Sequence, residues 1–248
     1  MTLPPPADQF FLSGTFNFRD TGGLRTAEGA KVRPGVLLRS AQLSGLDERG
    51  HHSLRELGVA EVFDLRGIRE IDHMGHDNLP DGVRRSVTPF DSRMGEAPPH
   101  ETRTESAFEH MLEVYREFPA LPEANTAITA IAQSIVDGDG AVLVHCAAGK
   151  DRTGWAVATL LRAVDVVEED VLADFMISNE AVEPLRALIE PTLPPGARFS
   201  EDLLGVREEY LAMALESVRQ LHGDFDRYLE VVGLTSGLRA RLRDRMLE

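Results

Sequence analysis

Val142-Leu143-Val144-His145-Cys146-Ala147-Ala148-Gly149-Lys150-Asp151-Arg152-Thr153-Gly154-Trp155 joins two different patterns. Residues 142–144 are a continuous apolar run, as in a strand covered on both faces. Beyond Arg152, the residues Val157, Leu160, Leu161 and Val164 recur at i, i+3, i+4 and i+7, the spacing of one buried helix face. The ten residues from His145 to Gly154 therefore form a strand-to-helix turn, and such turns bind anions. Their successive backbone N–H groups converge, and the positive end of the following helix dipole points at the same place. Small Ala147, Ala148 and Gly149 let the backbone approach a ligand closely, and Arg152 can offer a planar two-pronged donor to two phosphate oxygens.

Outward from this turn, apolar β-rich runs at 35–38, 59–63, 87–90 and 141–144 alternate with helix-like segments at 46–57 and 124–136, each followed by a glycine-containing stop. That alternation predicts an α/β fold, with a mostly parallel central sheet flanked by helices. From Arg152 onward the pattern is almost wholly helical, with further stretches near 171–179, 203–221, 226–232 and 238–247, and a proline-rich break at 191–196. Residues 1–12, with three consecutive prolines, read as a flexible arm. No linker divides the rest, so 13–248 is expected as one domain, including a helical C-terminal region from about 168 to 248.

Composition narrows the function. Among 248 residues, 26 Lys+Arg face 41 Asp+Glu, a formal net charge of −15, which opposes broad nucleic-acid binding and adhesion to anionic membranes. The longest uncharged stretch, 124–136, is too short to span a bilayer, and the N-terminus lacks the basic and apolar regions of a secretion signal. A cytoplasmic protein without an integral membrane segment is expected. A single cysteine, Cys146, excludes an internal disulfide framework and a Cys-rich zinc module.

That cysteine can carry chemistry. A thiol at a helix N-terminus beside Lys150 and Arg152 is expected to be a thiolate near neutral pH. Its attack on phosphorus would give a cysteinyl-phosphate, with the loop 147–152 and Arg152 stabilising the equatorial oxygens of the transition state. Thr153 is at the right chain distance to donate to the sulfur, and His145 is placed to orient the loop. A lone cysteine after a buried strand is by itself more often a small core residue. The conjunction His-Cys-x5-Arg-Thr-Gly at one strand-helix junction favours the nucleophile.

This conjunction resembles the signature of the Cys-dependent protein-tyrosine phosphatase superfamily, whose members need no metal. The blocks Asn17-Phe18-Arg19-Asp20-Thr21-Gly22-Gly23, Leu38-Arg39-Ser40-Ala41 and Asp64-Leu65-Arg66-Gly67-Ile68-Arg69-Glu70 are similar to those of an atypical bacterial group within it. The resemblance covers nearly the whole chain beyond the arm. It implies a phosphatase fold whose C-terminal helices could form a lid, and substrates that are phosphorylated proteins, with phosphotyrosine favoured and phosphoserine, phosphothreonine or phosphoinositides as additions. Lys150 resembles the loop lysine that accommodates extra phosphates in phosphoinositide-cleaving relatives; its bland alternative is a simple source of positive potential. The superfamily's general acid is an aspartate. Asp151, inside the loop as in myotubularin-like lipid phosphatases, is slightly favoured over Asp91, which follows a strand where other members carry a Trp-Pro-Asp loop. Arg19, Asp20, Arg39, Arg66 and Arg69 could contact substrate or brace the sheet, and bracing is the better default. His73 and His76 lack a third ligand for a metal. A silent phospho-ligand binding module and a rhodanese-type sulfurtransferase stay open as alternatives, although the latter does not call for Arg152-Thr153-Gly154.

Overall fold

The computed structural model describes residues 11–90, 107–192 and 200–248. The run 142–144 lies in β5 (Ala141–His145), at the centre of a five-stranded sheet ordered β1 (Arg19–Asp20), β2 (Leu37–Ser40), β5, β3 (Val59–Asp64), β4 (Arg84–Val87). Only the β1–β2 pair is antiparallel, so the sheet is mostly parallel, and helices cover it. Side chains along a strand point alternately to its two faces. Leu37, Phe63, Val142 and Val144 accordingly join one core, while Leu38, Val62 and Leu143 join another, with Leu54 of α1 (Glu48–Glu56).

The first core is the larger. It takes in the buried stripe Ala124, Ala127, Ile128, Ile131, Ala132 and Ile135 of α4 (Pro122–Asp137), whose spacing repeats every three or four residues. It also takes in α5 (Arg152–Ala163), in which every residue from Arg152 to Leu161 is buried. A helix buried all round needs covering on its outer side as well. Phe175 of α6 (Glu168–Ile177) supplies part of it, lying so close to Gly154 that a Cβ there would come within 2.9 Å of the ring. Tyr228 of α10 (Phe225–Val232) stacks near Trp155, with ring centroids 5.8 Å apart. Helices α9 (Glu208–His222) and α11 (Ser236–Met246) contribute Tyr210, Leu211, Val218, Leu242 and Met246 to the same core. The chain end is tied in by paired backbone bonds between Lys31 and Glu248 at 3.0 and 2.9 Å.

The structure corrects several expectations. Residues 1–10 of the expected arm lie outside the described residues, but Leu12 is 1% exposed and packs in the second core. The arm therefore does not extend to 12, because Leu12 has a pocket to fill. The strand expected at 87–90 is displaced to Arg84–Val87. As an edge strand it has polar, exposed residues, and the apolar Phe90 instead turns inward against Phe118, at 5.0 Å in an edge-on arrangement. The helix expected over 203–221 is two, α8 (Glu201–Leu204) and α9, broken at Gly205. There the Asn179 amide binds the N–H and C=O of Val206, at 2.8 and 3.0 Å, leaving no room for a side chain at 205. Helices α2 (Ile68–Met74), α3 (Ala107–Glu117) and α7 (Val182–Ile189) were not expected.

One buried knot joins the sheet to the helical region. Asp174 of α6 receives Arg19 Nε at 2.8 Å and Arg39 Nη1 at 2.5 Å, all three side chains being at most 5% exposed. Burial pushes Arg19 down to about 10, assisted by like-charged Arg39, so it remains charged at neutral pH. For Asp174 burial acts upward, but Arg19 and then Arg39 outweigh it and hold the carboxyl below its ordinary value. A depressed carboxylate contributes stability that is present above the unfolded value and is lost as pH falls through the folded one. Replacing Asp174→Asn leaves two buried cations uncompensated, and should cost about 3–5 kcal/mol in urea unfolding at neutral pH. The wild type should lose this advantage only below the ordinary aspartate range of about 3.9; equal stability of variant and wild type at pH 7 would contradict it.

Candidate active site

Strands β2, β5 and β3 end in register at Ser40, His145 and Asp64. Loop 146–151 leaves the sheet at this carboxyl-terminal edge, where open α/β sheets bind ligands. The outer side of the loop is fully engaged. The carbonyl of Cys146 faces His145 Nδ1 at 3.1 Å, that of Ala147 accepts from the Gln42 N–H at 3.1 Å, that of Ala148 from Asn17 Nδ2 at 3.0 Å, and that of Gly149 from Arg39 Nη2 at 2.8 Å. In a trans peptide the N–H of the next residue points opposite to the carbonyl. Four carbonyls anchored outward thus turn the N–H groups of Ala147, Ala148, Gly149 and Lys150 to the inner side. Gly149 makes the turn with φ +68, against Ser40, whose carbonyl oxygen would lie 2.1 Å from any Cβ. Cys146 begins this cradle, 2% exposed, and α5 starts at Arg152 on its far side.

Arg152 is fixed by Glu70 of α2. Its two terminal nitrogens reach the two carboxylate oxygens at 2.6 Å each, and Nη1 also donates to the Leu65 carbonyl at 3.3 Å. Glu70 is itself held, accepting from the Gly67 N–H at 2.8 Å at the start of α2. Burial acts to raise the Glu70 carboxyl, yet Arg152 outweighs it and the net value lies below the usual glutamate range. Burial likewise opposes the charge on Arg152, but Glu70 and then Cys146 raise its pKa further. Arg152 is therefore a permanent cation held in one orientation. Its Nε and the Thr153 hydroxyl are buried with no hydrogen-bond partner among the described residues. The bond from Thr153 to the sulfur, expected from the sequence, is not made in this structure.

Behind the loop lies a second layer of charge. His145 Nε2 is 2.9 Å from Asp77, and Arg66 binds both oxygens of Asp64 at 2.9 and 2.8 Å and Asp77 at 2.9 Å. Burial pushes the Asp77 carboxyl up, but His145 and Arg66 bring it below its ordinary value. Ligand-type atoms of Asp64, Asp77 and His145 lie within 4.8 Å of one another. A cation there would face the Arg66 guanidinium, so the set is an ion-pair network rather than a metal cradle. His76 Nδ1 faces Arg85 at 3.1 Å and takes no part. Arg19, Arg39 and Arg66 are thus engaged as braces, and Asp20 accepts the N–H groups of Gly22 and Gly35 at 2.8 and 2.7 Å; Arg69 is exposed.

Lys150 and Asp151 pair with each other, Nζ to Oδ2 at 2.6 Å, and Lys150 also donates to the Gly205 carbonyl at 3.3 Å. The other Asp151 oxygen accepts from the Tyr115 hydroxyl at 2.9 Å. Asp91 lies outside the described residues. Phe90, just before it, gives its N–H to the Leu65 carbonyl that also binds Arg152. Glu70, Asp77, Tyr115, Asp174 and Gln42 had no assigned role in the sequence reading. Glu70 had a usable signal, an acid three residues after Gly67 at a helix start; Tyr115 and Asp174 had none, since each meets its partner only in the folded chain.

The comparisons with known proteins show the family. A model of the tyrosine phosphatase family matches residues 10–248. The triple specificity protein phosphatase PtpB of Mycobacterium tuberculosis is 34% identical, over 95% of this chain and 98% of its own. A Cupriavidus necator relative is 32% identical over 86% of this chain and 80% of its own. The crystal structure of Pseudomonas aeruginosa TpbA matches 82% of this chain and 90% of its own with a TM-score of 0.35 and 20% identity, too distant a likeness to inform the site. With a family match across almost its full length, the chain belongs to the tyrosine phosphatase family.

Proposed function

We propose that this phosphatase hydrolyses phosphomonoesters through a cysteinyl-phosphate on Cys146. The observation that supports it most is the set of four outward-anchored carbonyls, which leaves inward N–H groups around the position that Cys146 opens. The Cys146 thiolate attacks phosphorus, the bond to the substrate oxygen breaks, and that oxygen takes a proton from a general acid. Water then breaks the P–S bond, gives its proton back to the same carboxylate, and the thiolate leaves. Loop N–H groups, the start of α5 and Arg152 stabilise the equatorial oxygens in both steps.

For the acid, the carboxylates around the loop differ in their partners. Glu70, Asp64, Asp77 and Asp174 are each locked to arginine. Asp151 alone is paired with a lysine, a point charge on a flexible stem that can turn to an incoming phosphoryl group. Among the described carboxylates bordering the loop it is the one with no arginine partner, so Asp151 is assigned the acid and Asp91 is the runner-up. His145 ties the loop to Asp77, and Thr153 keeps its hydroxyl for the thiolate of the leaving step. Phosphotyrosine is the assigned substrate. Phosphoserine, phosphothreonine and phosphoinositides are additions, the last supported by Lys150, with no metal or cofactor required. The helical region 168–248 belongs to the same domain as the loop and covers it through the Lys150–Gly205 contact, and a cytoplasmic setting would keep Cys146 reduced.

Two measurements test the assignment. Wild type should turn over an aryl phosphate, a phosphotyrosine peptide and be inhibited by vanadate, while Cys146→Ser loses turnover of both substrates; activity surviving in that variant removes Cys146 as nucleophile. Glu70→Gln keeps the side-chain shape but loses the charge that orients Arg152. Its kcat/KM should fall about 10–100-fold, by misplacement of a group that must meet the phosphoryl oxygens, with little change in thermal stability. An unchanged kcat/KM would show that Arg152 needs no such partner.

A further inference from the structure

Tyr115 puts a buried hydroxyl against the phosphate loop. It sits on α3, fully buried, with its ring among Phe118, Phe175 and Tyr210 at centroid distances of 4.8, 6.0 and 5.5 Å. A phenylalanine would satisfy all of these contacts. What the tyrosine adds is a hydroxyl inside an aromatic cluster, costly to bury unless it is hydrogen-bonded. Its partner is Asp151 Oδ1 at 2.9 Å.

We propose that the Tyr115 hydroxyl is a positioning group for the phosphatase reaction, holding the Asp151 carboxyl in the phosphate loop in the orientation that delivers its proton. The geometry allows this because the two Asp151 oxygens have separate partners, Tyr115 on one and Lys150 on the other. When Lys150 turns to the substrate, the tyrosine bond remains. It fixes the rotation of the carboxyl and leaves Oδ2 as the atom that carries and delivers the proton. Tyr115 keeps its own proton throughout: burial, and then the Asp151 charge, push its ionisation well above that of a free tyrosine. The other charged or titratable groups acting on this pair are Arg152 at the start of α5, Cys146 in the loop, Arg39 of β2 and Tyr210 of α9. None of them is altered when the hydroxyl is removed.

Without that donor the carboxyl is no longer held in one rotation, so Oδ2 meets the leaving oxygen less often and the protonation step slows. In a pH profile, loss of the protonated acid is the basic limb. The inference rests on Asp151 as the acid, and one experiment separates the two claims. The pH dependence of kcat and KM on a phosphotyrosine peptide is measured for wild type, Tyr115→Phe, Asp151→Asn and the double variant. Tyr115→Phe keeps the ring, so its urea midpoint should stay near that of the wild type. In the wild-type background kcat should fall about 10-fold with KM nearly unchanged. Asp151→Asn should flatten the limb, and adding Tyr115→Phe to it should change nothing further. If Asp151→Asn flattens the limb but Tyr115→Phe leaves kcat unchanged, or if Tyr115→Phe has the same effect in both backgrounds, Tyr115 has no such role and Asp151 keeps its own. If Asp151→Asn retains the wild-type limb, the acid assignment falls and the role of Tyr115 falls with it.

Discussion

The loop 146–151 can cradle an anion only because its carbonyls are held away from it. A peptide has two polar ends, and unanchored it would present oxygen as readily as hydrogen to a phosphoryl group. Here His145, the Gln42 backbone, Asn17 and Arg39 each restrain one of four successive carbonyls, and they come from β5, the β2–α1 connection, the chain before β1, and β2. Four separate stretches of chain near the carboxyl edge of the sheet therefore share one purpose, fixing the sense of four peptide planes. Arg39 does so while bound to Asp174, which ties the same task to α6. Preorganised donors of this kind need no rearrangement when charge develops on the transferring group.

Charge around the loop is balanced, not merely positive. Arg19, Arg39, Arg66, Lys150 and Arg152 are matched by Asp174, Asp64, Asp77, Asp151 and Glu70. In a chain of net charge −15, the cations that the sequence suggests would attract a dianion are thus mostly already paired. In the proposed function, what remains for the substrate are the inward N–H groups, the helix dipole of α5 and the buried donors Arg152 Nε and Thr153 Oγ1, which have no partner among the described residues. Arginine is used here chiefly as a brace, because its planar fork can hold two acceptors at once. The lysine pair is the exception, and its single-point contact is the one a substrate can most easily exchange.

Much of this was legible in the sequence, and for local reasons. The apolar run 142–144, the small residues 147–149 and the stripe from Val157 fixed a strand, a turn and a helix because each signal lies within a dozen residues. The partners were not legible. Glu70 and Arg152 are 82 residues apart, Arg19 and Asp174 are 155, and Tyr115 and Asp151 are 36, and nothing local marks such pairs. Short α2 repeats its apolar Ile68, Ile71 and Met74 over only two turns, too few to announce it, and its start is set by a glutamate reaching back to a glycine N–H. The break at Gly205 depends on Asn179, in a different helical turn. Leu12 shows the opposite failure, where neighbouring prolines suggested an arm and a hydrophobic pocket overrode them.

The most direct measurement is a rapid acid quench of the enzyme during turnover of an aryl phosphate, followed by mass spectrometry of its peptides. The proposed cysteinyl-phosphate route predicts a phosphoryl group on the peptide that contains Cys146, appearing as fast as the phenol is released and absent from Cys146→Ser. Release of phenol under single-turnover conditions with no phosphoryl adduct on Cys146 at any quench time, or with the adduct on another residue, would contradict it.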